Sequence, residues 1–207
     1  MGGAKVVRGS RSVNSCTETT PGHPPKRDDT MATKKTAMFT LTERLTINQA
    51  NTDTFAAIDL GSYVDVGDRQ ALQVHSVDFI FQGTSSSDVG PTGSFGATTA
   101  GVGIQLTDLN RGGLVFCNDR ALVASGVLNF DSDGFLSQAT DLYPDNFGKG
   151  SDDGRYVVND QLYITGRSTA IGADEAVNVT VRVNASIVTL GAKDFMAIAI
   201  QSTAADN

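Results

Sequence analysis

The chain has 207 residues with 16 basic and 23 acidic side chains, a net charge of −7. This length corresponds to one domain with room for an additional segment. The negative balance argues against a body that binds nucleic acid by general electrostatics, and no apolar run approaches the roughly 18 residues of a membrane span.

The charge is divided between two parts of the chain at about residue 36. Residues 1–36 hold seven basic and three acidic side chains, a net +4, and the remainder holds nine and twenty, a net −11. The first part has few apolar residues and cannot bury enough surface to offset its ordering entropy. We therefore predict a flexible basic arm over 1–36 and a folded body over 37–207. The candidate nucleic-acid contacts in the arm are Lys5, Arg8, Arg11, Lys26, Arg27, Lys34 and Lys35.

A second candidate for the start of translation lies inside this arm. Met31 begins the run Met-Ala-Thr-Lys-Lys, which is typical of a natural start. If residues 1–30 are an upstream extension, the arm is reduced to Lys34 and Lys35, and its attraction for a polyanion falls sharply. The sequence leaves both starts open.

The first half of the body is predicted to consist of strands. Residues 38–47 alternate apolar and polar side chains with a period of two. Residues 70–82 are the longest early strand, but their apolar phase changes near His75-Ser76. A change of phase within one strand predicts a β-bulge. Residues 83–101, rich in Gly, Ser and Thr, are predicted to be a long surface loop.

The second half contains the clearest strand. Four valines alternate with polar residues across 177–190, which predicts a half-buried strand. Residues 120–128 fit a helix or a strand equally well, and 193–201 slightly favour a strand over a helix. Between them lies a second predicted loop, 129–154, rich in Asp, Gly and aromatic residues.

One segment of this second loop resembles half of a calcium-binding loop. Asn129, Asp131 and Asp133 place side-chain oxygens at alternate positions, with Gly134 following. The bidentate Glu of a full loop is missing, because Thr140 occupies its place. Clusters of Asn, Asp and Gly also form ordinary turns. Calcium is therefore the one cofactor that the sequence raises, with Asn129, Asp131 and Asp133 as candidate ligands.

The sequence contains no recognisable catalytic arrangement. The two histidines lie apart, His23 in the arm and His75 in a predicted strand. Cys117 has no adjacent His or Lys that would lower its pKa, so a buried structural thiol is expected there. We therefore expect a protein that is not an enzyme.

About eight strands, few helices and two long loops predict an antiparallel β-sandwich, most naturally an eight-stranded jelly roll. A basic arm followed by one such sandwich resembles the coat proteins of small icosahedral viruses. This resemblance implies a capsid subunit that assembles with copies of itself around nucleic acid, with the arm facing the interior. It also implies synthesis in a host cytoplasm and residence in the virion.

Two other classes of function remain open. One is a carbohydrate-binding or adhesion module that uses the 129–154 loop as a calcium-assisted site. The other is an enzyme on a β-scaffold, for which the acidic residues of the same loop would be the candidates. Uniform particles would favour the coat protein, whereas a monomer that responds to calcium or glycans would favour the binding module.

Overall fold

The structure is a computed structural model that describes residues 32–85, 88–90, 99–131, 135–140, 154–171 and 175–203. Within these ranges the chain forms eleven strands and one helix. The strands are β1 (Ala32–Lys34), β2 (Phe39–Ile47), β3 (Thr54–Asp59), β4 (Gln70–Ser85), β5 (Asp88–Gly90), β6 (Ala100–Thr107), β7 (Leu122–Phe130), β8 (Leu136–Thr140), β9 (Arg155–Val157), β10 (Gln161–Ser168) and β11 (Glu175–Leu190), and the helix is α1 (Ala192–Thr203).

The strands form two antiparallel sheets. In sheet A, β11 pairs with β4 on one side and with β2 and β1 on the other, while β5 and β9 pair with the far side of β4. Sheet B has the order β3-β10-β6-β7-β8. One apolar core fills the space between the sheets. The predicted all-β antiparallel sandwich is therefore confirmed.

Eight of the strands follow the jelly-roll order. Sheet A contains β2-β11-β4-β9 and sheet B contains β3-β10-β6-β7. Among these eight, the chain crosses to the other sheet at every connection except the β6–β7 hairpin, which is how a jelly roll is wound. The remaining three strands of the described chain, β1, β5 and β8, extend the sheets beyond the predicted eight.

The central strand of sheet A has the alternation that the sequence predicts. The side chains of Val177, Val179, Val181 and Val183 are at most 1% exposed and belong to the core. The opposite face is polar: Thr46 donates a hydrogen bond to Asn178 at 2.7 Å, and Asn184 donates one to Ser76 at 2.9 Å. The β11 backbone therefore separates an apolar layer from a hydrogen-bonded polar surface.

The predicted bulge lies at His75. Asn184 of β11 pairs with Ser76, and the next residue, Ala185, pairs with Val74, so His75 has no register partner. Its ring nitrogen is 2.9 Å from the Ser186 hydroxyl. The extra residue reverses the alternation, which buries residues 72 and 74 before the bulge and residues 79 and 81 after it.

Two glycines mark where the sheets approach most closely. A Cβ added at Gly166 of β10 would lie 2.6 Å from a Leu45 methyl, and one at Gly126 of β7 would lie 2.8 Å from the Phe79 ring. Leu45 and Phe79 belong to sheet A, whereas both glycines belong to sheet B. Glycine in these strands therefore makes room for the facing side chains.

The last element differs from its predicted form. Residues 193–201 were expected to favour a strand, but they lie in α1. The helix follows Gly191, whose carbonyl accepts the first helical hydrogen bond from Phe195 at 2.9 Å. Phe195 packs against a second apolar cluster that includes Leu190, and Asp194 lies in the first turn, where a negative charge is favoured.

No helix in the described ranges is long and apolar enough to cross a membrane.

Three other segments refine the sequence-based picture. Residues 120–128, left open between helix and strand, lie largely in β7, and the predicted 129–154 loop contains β8. Residues 32–36, assigned to the arm, contact β11 through β1 pairing and through hydrogen bonds from Lys35 and Thr36 to the Ile187 carbonyl.

Replacing Val181 with Asp should destabilise the fold by at least about 3 kcal/mol, because it buries an unpaired charge in the core. Replacing Thr180 with Asp should change the free energy of unfolding by less than about 1 kcal/mol, since position 180 lies on the other face, across from Arg44. Urea unfolding followed by circular dichroism measures both. Equal losses would contradict the assignment of the two faces.

Candidate functional site on the outer face of sheet B

Residues 109–120, here called the strap, fold back over the outer face of sheet B. The Gln105 side chain donates to the Val115 carbonyl at 2.8 Å and accepts from the Val115 amide at 2.7 Å. Leu114 lies over Gly103, where an added Cβ would be 3.8 Å from its methyl. Thr165 and Ser125 flank Gln105 on the outer face and are only 4% and 6% exposed. The strap therefore shields the middle of this face from solvent.

The turn of the strap is held by its own hydrogen bonds. The Asp119 amide donates to the Phe116 carbonyl at 2.9 Å, and the Asp119 carboxylate accepts from the Ala121 amide at 2.8 Å. The same carboxylate forms an ion pair with Arg111 at 3.2 Å. Phe116 is 87% exposed at this turn. Cys117 is also exposed, which corrects the expectation of a buried thiol.

A partly buried ion pair anchors the base of the strap. Arg155 donates to the Asp108 carboxylate at 3.4 Å, to the Leu122 carbonyl at 2.6 Å and to the Arg120 carbonyl. Asn159 donates to the Asp108 carbonyl at 2.6 Å. Burial raises the pKa of the Asp108 carboxyl above its usual range, although Arg155 acts in the opposite direction. The strap is thus tied to β7 and β9 through this side-chain cluster.

A second ion pair lies beside the middle of the strap. Arg167 on β10 donates two hydrogen bonds of 2.6 Å to the Asp53 carboxylate, a bidentate geometry. These hydrogen bonds raise the pKa of Arg167. Gly113 of the strap passes close by, since an added Cβ would lie 3.1 Å from an Asp53 oxygen. Asp53 therefore links the strap region to β10.

Beyond the strap, the same sheet contains a cavity of about 510 Å³, here called the hollow. Gly101 lines it; an added Cβ there would lie 3.1 Å from the Asn129 side-chain oxygen, and the Gly101 amide donates to the Thr169 hydroxyl at 2.8 Å. Phe135 contributes a ring that is 73% exposed. The hollow therefore combines the exposed Phe135 ring with hydroxyl, amide and carboxylate groups. Its lining residues are Thr99, Ala100, Gly101, Asn129, Phe130, Asp131, Phe135, Ser137 and Thr169.

Two of the three candidate calcium ligands lie in this hollow. Asn129 and Asp131 are both exposed, whereas Phe130 between them is buried. Thr99 donates a hydrogen bond to the Asp131 carboxylate at 3.1 Å. Asp133 lies outside the described residues, and within them no group of three His, Cys, Asp or Glu residues is placed to bind a metal. Calcium binding therefore stays a prediction.

The predicted nucleic-acid contacts fall mostly outside the described part of the chain. Lys34 belongs to β1, at the edge of sheet A. Lys35 is exposed, and its ammonium group is 3.9 Å from the Asp68 carboxylate, also exposed, so the pair adds little stability. The other candidates are outside the described residues, namely Lys5, Arg8, Arg11, Lys26 and Arg27.

The sequence did not reveal the strap or the hollow as a site. The run Asn110-Arg111-Gly112-Gly113 indicates a turn, and Gly112 does adopt a φ of +66° with its amide bonded to the Asn110 side chain at 3.0 Å. The return of the strap over the sheet depends on Gln105 contacting Val115, ten residues further on. No periodic pattern encodes such a contact.

No family model matches the chain, and no curated protein shows significant similarity to it. Among solved structures, it is similar to a chain from Desmodium yellow mottle tymovirus, with 9% identity and a TM-score of 0.35. The alignment covers 92% of this chain and 97% of that chain. Identity and TM-score at this level establish neither a shared fold nor a shared function, so the fold assignment rests on the strand order described above.

If Asn129, Asp131 and Asp133 bind calcium, millimolar calcium should raise the melting temperature, since a ligand that binds only the folded state stabilises it. Asp131→Asn should abolish this rise while keeping an acceptor for Thr99. Asp160→Asn, which removes an exposed carboxylate elsewhere, should leave the rise intact. Differential scanning fluorimetry with calcium and with magnesium measures the effect, and no shift with calcium would mean that the segment is an ordinary turn.

Proposed function

We propose that the protein is a structural subunit of the viral coat type, which assembles with copies of itself into a shell around nucleic acid. The main support is the combination of a jelly-roll sandwich with a basic N-terminal segment that joins sheet A through β1. A fold alone does not determine function. The proposal therefore depends equally on the distribution of charge and on the exposed apolar side chains.

The basic segment is suited to contact a polyanion without base preference. Residues 1–36 have a net charge of +4. One such segment gives weak attraction, but many segments gathered in one cavity create a strong local field. Binding through phosphates is insensitive to sequence and weakens steeply with salt.

The body needs apolar contacts to assemble, because copies with a net charge of −11 repel one another. Several large apolar side chains are available for such contacts. Those more than half exposed in the described residues are Met38, Phe55, Val66, Phe116, Phe135, Met196 and Ile200. Salt should therefore act in opposite directions, promoting contact between bodies and weakening the hold on nucleic acid.

A second candidate function is the calcium-assisted carbohydrate-binding module. One observation favours it: the hollow places the exposed Phe135 ring beside the polar groups of Asn129 and Asp131. A module of this kind would remain monomeric, and its melting temperature would rise with calcium or a glycan.

The purified full chain should form closed particles of uniform size in electron micrographs and sedimentation velocity. The particles should retain nucleic acid at low salt and release it as salt rises. The arm variant Arg8→Gln, Arg11→Gln, Lys26→Gln should lose most of the bound nucleic acid, because three of the proposed phosphate contacts are removed.

The matched control removes the same charge from exposed positions of the body, through Arg44→Gln, Arg182→Gln and Lys193→Gln. It should retain nucleic acid nearly as well as the unaltered chain. A chain beginning at Met31 keeps β1 and should behave like the arm variant. Equal losses in the two triple variants would contradict the role of the arm, and a chain that stays monomeric at all concentrations would contradict assembly.

A further inference from the structure

Phe116 is an exposed aromatic side chain on a turn that is fixed by hydrogen bonds. It is 87% exposed, yet the residues around it are fixed by the Gln105–Val115 hydrogen bonds and by the Asp119 turn. A single exposed apolar residue is ordinary on a protein surface. An exposed ring on an ordered turn is different, because little conformational entropy remains to be lost on binding. Aromatic side chains that become buried when two proteins bind often contribute most of the binding energy.

The hollow has the size and chemistry to receive such a ring. Its volume of about 510 Å³ lies in the range of about 300–1,000 Å³ typical of sites for small organic molecules. Gly101 contributes no side chain, and the exposed Phe135 ring provides apolar contact surface. Hydroxyl and amide groups also line the hollow, and polar groups of this kind accompany an apolar anchor in stable interfaces.

The charges of the strap and the hollow are also complementary. Within the strap, Arg111 and Asp119 neutralise each other, which leaves the exposed Arg120 and a net charge of +1. The charged residue among those lining the hollow is Asp131. Opposite charges around an apolar anchor favour one orientation of the two surfaces and suppress others.

The two surfaces belong to one chain but do not meet within it. The strap contacts β6 at Gly103 and Gln105, and the hollow includes Gly101 of the same strand. The hollow at Gly101 and the strap contact at Gln105 are four residues apart on β6, which corresponds to roughly 13 Å along the strand. A knob and a receptor at different places on one molecule allow a head-to-tail contact, which closes into rings when the rotation between copies permits.

From these observations we infer that Phe116 of one copy inserts into the hollow of a neighbouring copy, with Arg120 beside the neighbour's Asp131. The inference rests on the proposed function, since it names the contact through which assembling copies recognise one another. The occupant of the hollow is therefore a second copy of this chain.

The first test measures assembly of the full chain by sedimentation velocity. Phe116→Asp should raise the concentration needed for assembly at least about tenfold, because it removes the anchor and places a carboxylate near Asp131. The matched control is Thr42→Asp, which places the same charge at an exposed position of β2, on the outer face of sheet A, and should leave assembly nearly unchanged. Unchanged melting temperatures would show that both variants fold.

The second test uses the exposed Cys117 beside the anchor. In a full chain carrying Cys16→Ser and Ser137→Cys, a short bismaleimide should join different copies into a ladder of covalent multimers. Adding Phe116→Asp should abolish the ladder. Thr42→Cys in place of Ser137→Cys, on the outer face of sheet A, should give none.

The two tests separate this inference from the proposed function. Particles that form equally well with Phe116→Asp and show no ladder would overturn the inference while the coat function stands. A full chain that never assembles would overturn both. A ladder that forms equally from Thr42→Cys would overturn the inference, because the cross-link would then report random collision.

Discussion

The pairing of β11 with three other strands is the constraint on which the rest of the sandwich depends. Its 16 residues pair with β4 along one side and with β2 and β1 along the other. The same strand supplies four valines to the core, from Val177 to Val183. Backbone pairing and apolar burial therefore act on one strand at once, and β11 positions both the N-terminal strand and the start of α1.

The elements that could be predicted from sequence are those in which one face is buried. The alternation of apolar and polar residues across 177–190 and 38–47 predicted β11 and β2. The change of phase in the same pattern at His75 predicted the bulge. The helix could not be separated from a strand, since Met196 and Ile200 fit either spacing. Residues 32–34 have no apolar pattern, and their place in the sheet follows from backbone pairing with β11.

The candidate site was harder to predict because its parts are joined by single side-chain contacts. Gln105 holds the strap, Asp108 and Arg155 anchor its base, and the Gly101 amide donates to the Thr169 hydroxyl in the hollow. Each residue type is common on protein surfaces and has no diagnostic spacing. Asn129 and Asp131 lie two positions apart in the sequence, but only the fold shows that Phe135 and Thr169 line the same hollow. Binding surfaces that depend on packing between distant segments require the structure.

Native-state hydrogen exchange of the full chain tests most directly whether β11 holds the sandwich together. If it does, the amides of Val177–Val183 should exchange only through global unfolding, with a free energy of opening equal to that from urea unfolding. Amides of the edge strands β3 and β8 should open at lower free energy. Exchange of the β11 amides at a lower free energy than those of the edge strands would contradict the central role of this strand.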